Sequence, residues 1–108
     1  MFFVAKTSIQ FLDPWCDFVP GQADAFLHEL KSELAPGHPL YGLSLVPLGH
    51  SGASDDTLFE AGDGRIIQVH LTLSSRAEKI PLPRFRVYAN VAEWIRTVML
   101  PANEDYRG

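Results

Sequence analysis

Asp55-Asp56-Thr57-Leu58-Phe59-Glu60-Ala61-Gly62-Asp63-Gly64-Arg65-Ile66-Ile67-Gln68-Val69-His70-Leu71-Thr72-Leu73-Ser74 is the stretch that decides the fold. Two β-rich runs flank Gly62-Asp63-Gly64, the signature of a hairpin. The return run sets Ile67, Val69, Leu71 and Leu73 on one face and Gln68, His70 and Thr72 on the other, the alternation of a half-buried strand. A loop of Gly62, Asp63 and Gly64 pairs Phe59 with Ile67 and Asp56 with His70. A tighter Asp63-Gly64 turn sets Phe59 against Gln68 and Thr57 against His70 instead. A single-residue slip exchanges the faces of a strand, so the register that keeps apolar groups together is the expected one. It needs Gly64 in left-handed backbone.

Outward from the hairpin, Ala23, Phe26, Leu27, Leu30 and Leu34 form one stripe of a helix over residues 22–34. Pro36-Gly37 ends it, because proline cannot extend the ladder and glycine accepts left-handed backbone. His38-Pro39-Leu40-Tyr41-Gly42 is a tight connector in which His38 is expected to bond to loop backbone. A strand over residues 43–48 follows, and Pro47 puts it at an edge or at a bulge. Residues 49–54 form a polar loop, and residues 76–83 a second loop. Arg84 to Ala89 reads as a strand with Phe85 and Val87 inward. Asn90 and Glu93 have capping-box spacing ahead of an apolar stripe of Val91, Trp94, Ile95, Val98 and Met99, which Pro101 is expected to stop. The aromatic opening, with Phe2, Phe3, Phe11, Trp15 and Phe18, reads as an apolar arm packed on the body or on a second subunit.

The expected class is α+β: a mostly antiparallel sheet of about four strands with two amphipathic helices packed on one face. One domain is expected, with the arm at residues 1–20, the body at 21–101 and a tail at 102–108.

At 108 residues, 46% hydrophobic and 20% charged, the composition is that of a globular domain rather than a disordered chain. A formal net charge of −4 argues against nucleic acid as a partner. The lone Cys16 excludes an internal disulfide and a multi-cysteine zinc site. The opening residues lack the basic region of a signal peptide, and no apolar run is long enough to span a bilayer. A cytoplasmic protein with no cofactor is therefore expected, and a small-molecule ligand stays open.

The chemistry-bearing candidates are few. Asp56 beside His70 would raise the imidazole's basicity and fix its tautomer, as a general base requires. His50 from the adjoining loop would add a second nitrogen for a metal held by His50, His70 and Asp56, but no His-x-His or His-x-x-x-His spacing supports one. A structural strand histidine bonded to Asp56 or Thr72 is the plainer alternative, and Asp55 and Asp56 also suit a turn and a strand end. Cys16 has no histidine near it in sequence, and acidic neighbours disfavour its thiolate. Arg84, Arg86 and Tyr88 alternate onto one face as a binding strip, with Tyr41 a further exposed aromatic.

The segments Leu30-Lys31-Ser32-Glu33-Leu34, His38-Pro39-Leu40-Tyr41-Gly42, Asp55-Asp56-Thr57-Leu58-Phe59-Glu60, Asp63-Gly64-Arg65 and Val69-His70-Leu71-Thr72, with a Trp-bearing final helix ending in Met99-Leu100-Pro101, resemble a family of small uncharacterised bacterial proteins. The resemblance covers about residues 22 to 106 and implies an α+β domain but no catalytic residue. Leu73 stands where that pattern has Trp. The function expected is a non-enzymatic protein-binding or regulatory module of the immunity-like kind, presenting an acidic surface to a protein partner or pairing with itself. The alternative is a small hydrolase or metal-binding enzyme using His70 with Asp56.

Overall fold

The computed structural model describes residues 8–108. The part of the arm that holds Phe2 and Phe3 lies outside the described residues. The hairpin is built as its alternation requires: β3 (Asp56–Ala61) and β4 (Ile66–His70) are antiparallel, with Phe59 opposite Ile67 and Asp56 opposite His70. Gly64 has φ 91°, and the Ala61 amide donates to the Arg65 carbonyl at 2.9 Å across the loop. Three further strands complete a meander in the order β1-β2-β3-β4-β5: β1 (Trp15–Cys16), β2 (Leu45–Ser51) and β5 (Arg84–Tyr88).

The α+β class and the antiparallel sheet are as expected, with one strand more than the sequence suggested. The extra strand is β1, in which Trp15 and Cys16 pair with Ser51 and His50. Pro47 sits at an irregularity of β2, where the register shifts between Pro47 and Gly49. The chain therefore stays paired through Ser51, and the polar loop begins later than expected.

The expectation that both helices cover one face is corrected. Helix α1 (Gln22–Glu33) packs Leu30, with Leu34 just past its end, onto Phe59, Ile67 and Val69. The C-terminal helix packs Trp94 and Met99 onto Leu58 and Ile66 on the other side. The pairs Leu58-Phe59 and Ile66-Ile67 send consecutive apolar side chains to opposite faces, so the sheet is buried on both. Trp15 and Phe11 meet the Trp94 ring edge-on, with centroids 4.9 and 6.1 Å away, which ties the described part of the arm to the body.

The final helix also runs further than Pro101 suggested. It starts at α2 (Val91–Trp94), capped by the Asn90 side chain accepting from the Glu93 amide at 2.9 Å. It widens into a π segment (Ile95–Met99) and continues as α3 (Leu100–Arg107). In the widened turn the Leu100 amide donates to the Ile95 carbonyl, five residues back. That widening immediately precedes Pro101, whose ring and missing N–H would disrupt an ordinary α turn. The tail expected at residues 102–108 is helical through Arg107. Among the described residues no helix is long and apolar enough to cross a membrane.

The return strand ends sooner than the alternation implied. Leu71 is buried, but Leu73 has φ 61° and is half exposed instead of joining the core face. Glu33 provides the physical cause. Its side chain accepts from the amides of Thr72 at 2.9 Å and Leu73 at 3.0 Å, turning that backbone away from the ladder.

Candidate functional site

Register gathers residues that are distant in sequence onto one open patch. Across β3, β4 and β5, Asp56 lies opposite His70, and His70 lies opposite Arg84. Gln68 lies opposite Arg86 on the same side. The two candidate sets, Asp56/His70 and Arg84/Arg86, are thus one site. They line a shallow groove of about 360 Å³ together with Gln68.

A chain of hydrogen bonds fixes the middle of this site. The buried Trp94 indole N–H donates to Gln68 Oε1 at 2.9 Å. The Gln68 amide donates to Asp56 Oδ2 at 3.3 Å, and His70 Nδ1 bonds to Asp56 Oδ1 at 2.8 Å. A carboxylate can only accept, so the His70 proton is on Nδ1. That leaves Nε2 for the groove. The His70 side chain is 59% exposed and that of Asp56 only 25%, so the relay runs from the core outward to the imidazole. Gln68 was legible in the sequence as a polar-face residue, but its link to Trp94 was not.

The other candidates fall elsewhere. Tyr88 shares the face of Arg84 and Arg86 but is half buried against the cluster around Trp94. Tyr41 is exposed beside Leu27, Lys31 and Leu34, near the end of α1, and does not join the strip. His50 pairs with Thr57, not Asp56, so it projects from the opposite face and stacks on Phe18 at 5.3 Å. Strand alternation thus sets His50 on the other face of the sheet from His70 and Asp56, and the three do not converge. Among the described residues no group of three or more His, Cys, Asp and Glu side chains has the arrangement of a metal site.

Pairing in β1–β2 brings together residues that sequence reasoning had no means to join. Cys16 Sγ lies 3.4 Å from His50 Nε2, because the two residues are opposite each other in the ladder. Burial, followed by the charges of Asp13 and Asp17, pushes the Cys16 thiol up. A thiol kept protonated is a hydrogen-bond donor rather than a nucleophile.

Glu33 is the polar residue that the helical stripe omitted. It is fully buried, and burial pushes its carboxyl up to about 7. Glu29, one turn earlier, is held below its ordinary value by its hydrogen bond with Glu33 and accepts from the Ser75 amide and hydroxyl. The signal was spacing: Glu33 stands at i+3 from Leu30 and i+7 from Phe26, inside the buried arc. This pair anchors the loop after β4 and does not face the groove. His38 has the structural role expected of it, donating from Nε2 to the Pro83 carbonyl at 3.0 Å and accepting from the Leu40 amide at Nδ1.

Comparison with protein-family models, curated proteins and solved structures finds no match for the chain.

Proposed function

We propose that this domain is a non-enzymatic protein-interaction module whose contact surface is the face of β4 and β5 that carries Gln68, His70, Arg84 and Arg86. The observation that supports this is the position of the arginines. Both are exposed on β5, which has a strand neighbour on one side only among the described residues. An edge strand offers unpaired backbone groups to another chain, and arginine is enriched at interface hot spots. This face is cationic, in contrast to the acidic presenting surface expected from the net charge. A regulatory, immunity-like role is the form of the proposal, and a single thiol without a disulfide partner supports a cytoplasmic setting.

The test is selection of a displayed random-peptide library on the wild type and on the Arg84→Glu/Arg86→Glu double variant. Enriched sequences that bind the wild type and lose binding to the double variant support the reading. A library that enriches nothing on the wild type removes it.

The Asp56–His70 bond favours a second reading, a small hydrolase with His70 as general base. An Nδ1 held by a carboxylate and an Nε2 facing a groove beside two arginines suit attack on an anionic ester. Turnover of chromogenic phosphoesters or carboxylic esters by the wild type, abolished in His70→Ala, would put this reading ahead.

A further inference from the structure

We infer that the partner taken by this face is an extended acidic segment that adds to the free edge of β5 and sets alternate carboxylates beside Arg84 and Arg86. The inference rests on the interaction reading above and gives it a partner chemistry. Charge complementarity is the first ground. The chain has 13 acidic and 9 basic residues, so carboxylates are in excess. Yet among the described residues neither Arg84 nor Arg86 takes part in an ion pair, while Arg65 and Arg107 do. The one carboxylate lining the groove, Asp56, is already occupied by His70 and Gln68.

Strand geometry is the second ground. Arg84 and Arg86 point to the groove face, with Phe85 and Val87 on the other. A strand laid along β5 places every second side chain beside those arginines, within the reach that makes cross-strand charge pairs effective. Glutamate or aspartate at alternate positions meets them, and the intervening positions meet Val87, which is 43% exposed. The edge thus offers a two-sided match: carboxylates over the groove and apolar side chains on the reverse.

The same geometry disfavours a second copy of this chain. Antiparallel self-pairing centred on Phe85 sets Arg84 against Arg86, and pairing centred on Arg86 sets that residue against itself. Like charges directly opposite each other destabilise a sheet.

The experiment uses the full chain and short synthetic peptides with blocked ends. One alternates glutamate with valine, one alternates lysine with valine, and one alternates glutamate with N-methylvaline. The last keeps the charge but removes ladder donors. Binding is followed by amide and arginine side-chain NMR shifts and by titration calorimetry. The glutamate–valine peptide is expected to bind and to shift the amides of residues 84–88. Its affinity should fall by about tenfold or more in Arg84→Gln/Arg86→Gln, and further in the Glu pair of substitutions. The other two peptides should not bind. Circular dichroism of each variant confirms that it is folded.

Equal binding of the N-methylated peptide would overturn strand addition. Shifts confined to regions other than β5 would overturn the location. A dimer in sedimentation that dissociates in the Arg86→Glu variant would assign the edge to a second copy instead. Enriched library peptides without acidic residues would defeat the acidic partner while leaving the interaction reading standing. A library that enriches nothing defeats that reading itself.

Discussion

Glu33 and Asp56 approach the same end of β4 from opposite faces, and their oxygens are engaged by different kinds of partner. Glu33 is fully buried and, besides its hydrogen bond with Glu29, accepts from two backbone amides, Thr72 and Leu73. Asp56 is partly exposed and accepts from two side chains, His70 and Gln68. Backbone partners belong to the fold and cannot turn away. Side-chain partners can rotate, exchange water and meet a ligand. The comparison separates a carboxyl that shapes the chain from one that organises a surface.

The largest expected effect comes from breaking the buried side. Glu33→Leu leaves the part-buried Thr72 and Leu73 amides without their acceptor. Each orphaned donor costs about 1–3 kcal/mol, so a loss of about 2–4 kcal/mol in urea unfolding is expected after some relaxation of the loop. A loss no larger than that of an exposed substitution would mean that the loop holds itself.

The pH dependence sharpens the same comparison. The folded Glu33 carboxyl is raised to about 7, first by burial, so the native state holds a proton that the unfolded chain releases at its ordinary value near 4.5. The stability this contributes is fully present below that ordinary value and is lost as pH rises through about 7. Urea midpoints of the wild type should therefore fall across that window, and those of Glu33→Gln should fall less. Parallel profiles would show that Glu33 ionises as freely as an exposed carboxyl.

Why one carboxyl was legible and the other was not follows from what each element repeats. Alternation in residues 66–70, with Phe59 needing Ile67, fixes the hairpin register and hence Asp56 beside His70. No comparable rule reveals Glu33, because a helical stripe traced through apolar residues passes over a buried acid. The placement of the helices was lost for a related reason. Reading one face of the hairpin as core concealed the other, although Leu58 and Ile66 carry a second core there. The pairing of Arg84 with His70 depends on the long connection before β5, whose length leaves the register open in the sequence.

On the surface side, Gln68→Leu cuts the relay at its centre. The buried Trp94 indole N–H loses its acceptor and Asp56 loses one donor. A cost of about 1–2 kcal/mol is expected, since one buried donor is orphaned while the apolar replacement recovers part of the packing. The indole N–H resonance of Trp94 should move and exchange faster with solvent. An unshifted indole resonance would mean that Gln68 does not hold the ring.

The smallest effect belongs to the exposed end of the relay. A double-mutant cycle on Asp56→Ala and His70→Ala should give a coupling of about 0.2–1 kcal/mol, because an exposed pair is screened and solvated in both states. The same substitutions should alter the groove far more than the fold. Removing Asp56 frees the imidazole to rotate and removes the negative charge beside Arg84 and Arg86. Asp56→Ala should therefore bind the glutamate–valine peptide at least as tightly as the wild type, and His70→Ala should bind it more weakly. Equal affinity in all three proteins would separate the relay from the binding face and leave the arginines as its whole chemistry.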